Sequence, residues 1–499
     1  MHPLSPVVLS DPRAIAAANV DCLVIGSGTS GVTTAIELAN RGLKVAIIEA
    51  GPFILTEHVG SGPFGNRGDF VPKIHDLVRY GTVWTTEAEL AAARSGTAKA
   101  NNNAWALVGG RTVFWGGCTP RFRDEDFAEW PYNADEIRPW YEKAESLVGM
   151  SGGAEAAAFM THPAQENLMA RMASAGVPAI NAPLGVDTRA VHGGRMSLGF
   201  DSSVSRLLRC KNFGRIEDGA RLSLAAETEA LELVLDGDRV SAVKVKAPNN
   251  QVFDIPARHV VLAGGCVQST RLALVSGLGK IDPMVGRYMG DHLFRQAVFE
   301  LPESIGERSL YIFVPPTAER PFHAQLQGMF QEIWYSPLHA TCWLEGDHGG
   351  RYVLFYCFGI SKAEEAGRMV LVGDEKTRKG YCIVNDRSPG DTKTLAEMAT
   401  FTADVARAMG GKVVRTEENA AGAALHEFGG LRMGLDPATS VTDPNGRFWK
   451  IRNLSGADAA LWPHQGSANS YLTITAVALR NAQRLAAALG SGERAMAAQ

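Results

Sequence analysis

Two short runs of uninterrupted apolar residues, CLVIG at 22–26 and VAIIE at 45–49, bracket a glycine-rich turn and a stretch with helical spacing. Runs without polar alternation predict parallel strands buried on both faces. Over residues 53–100 the periodicity dissolves among Gly, Asn and Asp, which predicts a loop excursion rather than regular sheet. ALVGGRTVFWGGC (106–118) follows as a glycine-punctuated turn, and WPYNADEIRPWYEKAESLVG as a helix capped near Asn133 or Asp135. Strand patterns fill 213–262, with a hairpin around Asp236, Gly237 and Asp238, and lead into a second strand, glycine turn and helix at 258–279. Residues 295–385 alternate and are rich in aromatics, predicting a mostly antiparallel sheet; TLAEMATFTADVARAMG reads as a helix, and a final helix spans about 471–489. Internal repeats and low-complexity linkers are absent from the sequence. The pattern predicts an α/β chain (α+β overall) of two interleaved domains, one from 18–125, 205–294 and 425–499, the other from 126–204 and 295–424.

A length of 499 residues exceeds one ordinary core, in keeping with two domains. The composition is 45% hydrophobic and 20% charged with a formal net charge of −4, so nothing points to nucleic acid. The first residues lack the basic and apolar regions of a secretory signal, and the apolar run at 22–26 is far too short to span a bilayer. Seven scattered cysteines without a CxxC make neither a disulfide framework nor a zinc site. They fit a reducing compartment, so a cytoplasmic protein without a membrane partner or a metal is expected.

Chemistry enters at both ends of the chain. In DCLVIGSGTSGVTTAIELANRGLKVAIIEAGP, Gly26, Gly28 and Gly31 form GxGxxG between strand and helix, and Glu49 ends the second strand. The first glycine permits the tight turn, the second lets a pyrophosphate approach the backbone, and the third lets the helix pack on the strand. Glu49 is placed to accept ribose hydroxyls. The motif alone leaves FAD and NAD open. The second strand and turn, with Ala263, Gly264 and Gly265, has no following acid, so an additional nicotinamide site is not expected. At the far end, ALHEFGGLRMG carries His426 and GSANSYLTITAVALR carries Asn469. An imidazole that accepts a proton and an amide that holds a hydroxyl suit alcohol oxidation. A structural histidine and a helix-capping asparagine are the plainer alternatives.

The blocks GSGTSG with EAGP, GGRTVFWGG, VVLAGGCVQSTRLALVSGLG, VGRYMGDHL and HEFGGLRMG with GSANSYLTITAVALR resemble, in that order, those of the glucose–methanol–choline (GMC) oxidoreductases. The resemblance implies FAD in a Rossmann-type domain, under a sheet-based substrate domain. It makes His426 the base and Asn469 the hydroxyl-binding partner as hydride passes to flavin N5. It assigns Gly110, Thr112 and Trp115 to the flavin. Asp458 falls where the family places an acid beside the pyrophosphate and ribityl chain. Ala459 replaces the usual glycine after it, and a simple turn acid is an equal alternative. His292 in GDHL and His464 read as structural.

RPFHAQLQGMF (320–330) and YVLFYCFG (352–359) are similar to pyranose oxidase segments, where a glutamine contacts the sugar. That residue maps onto Gln325, with Gln327 and Tyr356 as further substrate contacts. Acidic and arginine residues expected nearby are replaced by Met329, Leu354 and Tyr356. The aromatics Phe330, Trp334 and Tyr335 stack on sugar or flavin or simply pack the core. In fungal pyranose oxidases a histidine before the block's tryptophan is bonded to the flavin; here Phe114 stands there, so FAD is expected to be non-covalent. The expected activity is oxidation of a secondary ring hydroxyl, C3 or C2, of a pyranose or of an O- or C-glycoside, with O2 or a quinone as electron acceptor. An oxidase of sterols or other apolar alcohols, and a non-catalytic flavoprotein, are the rivals.

Overall fold

The computed structural model describes residues 3–59, 79–95, 97–100, 102–152, 158–159, 161–188, 190–191, 195–196, 199–305, 310–328, 351–372 and 380–497. Its first sheet has five strands in the order Leu454–Gly456, His259–Leu262, Cys22–Ile25, Val45–Ile48, Leu222–Ala225, all paired in parallel. Every residue of these strands is buried. Leu23, Ile25, Ala46 and Ile48 feed one core while Cys22, Val24, Val45 and Ile47 feed another. Two covered faces leave no position for a polar residue, which is why these runs do not alternate. All five strands fall within 18–125, 205–294 and 425–499.

Helix Thr29–Asn40 follows the first strand and packs on the last helix, Tyr471–Ala497, which also packs on Ala134–Val148. Two glycines make the close approach possible. A Cβ on Gly31 would lie 2.0 Å from the Gly26 carbonyl oxygen, and one on Gly26 (φ +107°) would lie 2.4 Å from that of Ala263.

The second large sheet has six strands in the order Lys412–Glu418, Leu293–Glu300, Tyr352–Gly359, Phe322–Gly328, Tyr311–Val314, Ile180–Asn181, all antiparallel. Phe322, Ala324, Leu326, Phe355 and Cys357 share a core with Leu395, Met398 and Val405 of helix Pro389–Ala408. That helix starts at a Ser388/Asp391 capping box with proline in its first turn. Strand alternation turns His323, Gln325, Gln327, Phe294, Tyr356 and Phe358 to the opposite face.

Two expectations change. Within 53–100 the described residues include strand Arg79–Thr85 and helix Leu90–Arg94, where a loop excursion was expected. That strand is recruited by distant partners, pairing in parallel with Gly380–Val384 and antiparallel with Asn102–Trp105, so local pattern could not announce it. The resulting four-stranded sheet, completed by Arg368–Val372, draws on both groups of segments predicted as separate domains. Other expectations hold: Asn133 caps its helix, and Gly237 (φ +58°) turns a hairpin between Glu229–Asp236 and Arg239–Lys246.

A buried ion pair ties these parts together. Arg206 and Asp201 side chains are each 1% exposed and meet at 2.7 Å. Arg206 also donates to Thr33 Oγ1 (2.8 Å), Thr29 Oγ1 (2.9 Å) and the Tyr471 hydroxyl (2.6 Å). Removing one partner of such a pair strands the other charge, at a cost of about 3–5 kcal/mol. Arg206→Met is expected to lower the thermal midpoint by several degrees, read by differential scanning fluorimetry, while Arg→Met at exposed Arg239 leaves it within about a degree.

Candidate active site

The carboxyl ends of the parallel strands carry the nucleotide motif. Gly28 (φ −65°, ψ −176°) precedes the helix without a side-chain cap, and a Cβ built on it meets nothing within 4 Å. Helix amide hydrogens therefore open onto free space at the motif's middle glycine, which fits a dinucleotide pyrophosphate. Gly110 (φ +53°) lies opposite, its Cβ position 3.7 Å from Gly28 Cα. Glu49 accepts from Ser27 N (3.0 Å), Ser27 Oγ (2.7 Å) and Gly51 N (3.0 Å), so it braces the turn while burial pushes its carboxyl up.

The other cofactor candidates are also engaged by protein. The Thr112 hydroxyl donates to the Gly109 carbonyl (2.7 Å) and accepts from Ser203 N (3.0 Å). Trp115 donates its indole N–H to the Asp201 carbonyl (2.9 Å) and stacks on Tyr471 at 3.7 Å between ring centroids. Asp458 accepts from Gly265 N (2.9 Å), Ser269 Oγ (2.6 Å) and Ala460 N (2.9 Å), and burial pushes it up to about 6. It thus ties the second glycine turn to the chain after the last strand, on the same sheet edge as Gly28. Phe114 is buried, edge-on to Trp105.

His426 and Asn469, 43 residues apart, meet with His426 Nε2 3.5 Å from Asn469 Nδ2. Asp291 holds the histidine's loop, accepting from His426 N (2.8 Å), His292 N (2.9 Å) and Ala424 N (3.0 Å). Leu425, just before His426, has φ +61°, a strained conformation for a branched residue. Its carbonyl accepts from Arg111, whose guanidinium also binds Glu427 at 2.6 Å. Burial and the nearby Glu427 push Asp291 up to about 7. His426 Nδ1 lies 2.9 Å from His292 Nδ1, and Gln465 Nε2 donates to the His426 carbonyl (2.7 Å). Burial, then His292, His323 and Arg111, hold His426 well below the usual imidazole value, so the ring is neutral.

The antiparallel sheet supplies the opposite wall. Phe358 lies 5.1 Å from the His426 ring and stacks on Phe294 at 4.6 Å; Phe294 stacks in turn on Tyr356 at 6.0 Å. Gln325 is buried and donates to Asn469 Oδ1 (2.6 Å) and His323 Nε2 (3.0 Å) while accepting from the Tyr311 hydroxyl (2.7 Å). Both of its polar atoms have protein partners, so Gln325 joins the sheet wall to Asn469. Gln327 differs: it is 1% exposed, and both its amide atoms lack partners among the described residues. His292 does more than stabilise a turn, since it touches His426. His464, expected to be satisfied by backbone, instead leaves Nδ1 buried and unpartnered among the described residues, with Glu129 and Asp126 as its charged neighbours. Met329, Phe330, Trp334 and Tyr335 lie outside the described residues.

His323, Tyr311, Asp291 and Arg111 escaped the sequence reading. Alternation in FHAQLQ was the available signal for His323, since residues 323, 325 and 327 must share a face. Asp291 and Arg111 act through backbone atoms of distant residues, which no local spacing reveals.

A dinucleotide-type sheet edge combined with a neutral histidine and an asparagine amide is the equipment of an oxidoreductase acting on CH–OH groups. Residues 20–294 match the N-terminal and residues 364–478 the C-terminal profile described as GMC oxidoreductase. The chain belongs to the GMC oxidoreductase family and is an FAD-dependent alcohol or sugar oxidoreductase. It is 28% identical to paromamine 6'-oxidase of Streptomyces fradiae, over 94% of this chain and 92% of that one. It is 24% identical to C-glycoside 3-oxidase of Arthrobacter globiformis, over 95% and 96% respectively. Pyridoxine 4-oxidase from Mesorbium loti shares the fold, with a TM-score of 0.67 at 17% identity, covering 93% of this chain and 99% of that one. Among the described residues no helix is long and apolar enough to cross a membrane.

Gly28 has backbone angles open to any residue, so a side chain there fills only the free space above it. Gly28→Val is expected to yield folded protein whose flavin content per chain, read from the visible absorbance, falls severalfold; full flavin occupancy would place the pyrophosphate elsewhere.

Proposed function

We propose that the protein oxidises a secondary ring hydroxyl, at C3 or C2, of a pyranose or of an O- or C-glycoside to the keto sugar. Non-covalent FAD is held by Gly26, Gly28, Gly31, Glu49, Gly110, Thr112, Trp115 and Asp458, and when bound it supplies the hydride acceptor. The observation that carries the reading is the His426 Nε2 to Asn469 Nδ2 approach of 3.5 Å. A hydroxyl lodged between them would give its proton to His426 Nε2 and accept a hydrogen bond from the Asn469 amide. The carbon then surrenders hydride as its oxygen becomes a carbonyl. A neutral base close to its acceptor contributes roughly 10²–10⁴-fold.

Support for a sugar comes from the sheet wall. Phe294, Tyr356 and Phe358 form a stacked aromatic row on that face, an apolar wall for ring C–H bonds to pack against. The Gln327 amide, unpartnered among the described residues, offers hydrogen bonds to ring hydroxyls. An apolar alcohol such as a sterol would leave that amide unsatisfied. A second reading, oxidation at a 6' position, is favoured by the identity to paromamine 6'-oxidase. O2 or a quinone is the proposed electron acceptor.

The test is an anaerobic screen of free sugars and O- and C-glycosides for bleaching of the flavin, with NMR of the product. Bleaching by a glycoside with a 3-keto or 2-keto product is expected; bleaching by apolar alcohols alone overturns the reading. His426→Ala should retain flavin and lose about 10²-fold or more in turnover, and wild-type turnover would remove His426 as the base. Gln327→Met removes a buried amide without a partner among the described residues at similar shape, so its thermal midpoint should hold or rise. Its KM for the glycoside should rise about 3- to 10-fold, the worth of one hydrogen bond. An unchanged KM would take Gln327 out of the substrate site.

A further inference from the structure

Two consecutive backbone carbonyls face the histidines behind the pair. A carbonyl oxygen only accepts, so a ring nitrogen that bonds to one carries the hydrogen. His292 Nε2 lies 2.7 Å from the Gly466 carbonyl and is therefore the N–H nitrogen. Burial pushes His292 down to about 4, so the ring is neutral and Nδ1 holds a lone pair. His426 Nδ1, at 2.9 Å, donates to it. The lone pair of His426 then falls on Nε2, the nitrogen that faces Asn469.

The second carbonyl governs the amide. His323 Nδ1 donates to the Ser467 carbonyl at 2.8 Å, and burial pushes His323 down to about 3, which leaves Nε2 as an acceptor. Gln325 must then present its NH2 to His323, and the same NH2 reaches Asn469 Oδ1. Reversing Gln325 would set its oxygen against the His323 lone pair and against Asn469 Oδ1, two repulsive contacts. Asn469 is left with its NH2 toward His426.

The turn bearing the two carbonyls is itself held. Ser467 N and Oγ donate to Asp126 Oδ2 at 2.9 and 2.6 Å, and Arg123 Nε donates to Ser467 Oγ at 2.9 Å. Gly466 sits against Phe122 so closely that a Cβ would lie 2.4 Å from the ring.

We propose that the Gly466 and Ser467 carbonyls set the hydrogen-bond polarity of the reacting pair. Through His292 the first keeps the His426 lone pair on Nε2; through His323 and Gln325 the second keeps the Asn469 NH2 turned toward it. The inference rests on the proposed roles of His426 and Asn469. His292, His323 and Gln325 are positioning residues.

The FAD-loaded full chain provides the test. With [15N]histidine labelling, and His426→Gln to assign the resonance, two-bond 15N–1H spectra are expected to report His426 as the Nδ1–H tautomer. His292→Leu removes the acceptor and should give a tautomer mixture, with kcat for a flavin-bleaching glycoside down about 10²-fold, KM changed less than threefold and flavin retained. His292→Asn restores an acceptor oxygen at the Nδ1 position and should recover most of the kcat. Arg111, Asp291, Glu427 and His323, which also surround His426, are untouched in both variants. An Nε2–H tautomer in the wild-type protein overturns the proposal, as does a His292→Leu enzyme with wild-type kcat. If His292→Leu does not fold, the wild-type spectra alone decide. Undiminished turnover in His426→Ala would instead refute the base assignment, and the tautomer spectra would still judge the relay.

Discussion

The contact on which the rest hangs is that of helix Thr29–Asn40 against the turn before it. With the Cβ position of Gly31 only 2.0 Å from the Gly26 carbonyl oxygen, any side chain there would push the helix off the sheet. Its first turn would then leave the space above Gly28. Seated, the helix presents Thr29 and Thr33 to Arg206, which reaches across to Tyr471. Tyr471 is two residues beyond Asn469, so the nucleotide turn and the Asn469 amide are placed by one continuous set of contacts. A buried charge is a costly clamp unless its bonds are complete. Here Asp201 takes two of them, on Arg206 Nε at 2.9 Å and Nη2 at 2.7 Å, and the hydroxyls take the others.

Charge is treated differently at the pair itself. Several imidazoles converge there, and desolvation favours the neutral form of each, with His292 pushed down to about 4 and His323 to about 3. Neutral imidazole has one donor and one acceptor nitrogen, so a cluster of such rings transmits direction along its hydrogen bonds, which cationic rings could not do. The same cluster works against the fold in acid. The unfolded chain takes up these protons from about pH 6.5 downward, whereas folded His292 and His323 resist until about 4 and 3, so their share of stability is lost as pH falls through that window. Asp291, pushed up to about 7, acts in the opposite sense, its share being lost as pH rises through 7.

What was legible in the sequence follows from how local each signal is. Gly26, Gly28, Gly31 and Glu49 lie within one strand, turn and helix unit, and their spacing carries the geometry. The unalternating strands told of two covered faces, and the alternation of 295–385 told of an antiparallel sheet. Strand Arg79–Thr85 was missed because parallel pairing with Gly380–Val384 joins residues about 300 positions apart. Gln325 was only half legible: its position on the site face was readable, while the bond to Asn469, 144 residues away, was not. Asp291 and Arg111 serve backbone groups, and a residue's call on another's carbonyl or amide leaves no trace in spacing.

The antiparallel sheet can serve both core and site because its pleat separates the two duties residue by residue. Along Phe322–Gly328, Phe322, Ala324 and Leu326 enter the aliphatic core against helix Pro389–Ala408, while His323, Gln325 and Gln327 share the opposite face, from which Gln325 bonds to Asn469. A helix offers no such sharp partition, since its side chains sweep through every direction within one turn. Register is therefore the property that must not slip: a shift by one residue would bury the amides in the aliphatic core and expose leucine to the pair. The row joining Gln325 to Tyr356 and Phe313, and the next joining Gln327 to Leu354 and Tyr311, fix that register at the point where the site needs it. Gln325 spends its bonds inward on Asn469, and Gln327, one pleat further, has no hydrogen-bond partner among the described residues. Adjacent positions on one strand face thus divide into a group that bonds the Asn469 amide and a group proposed to meet the substrate.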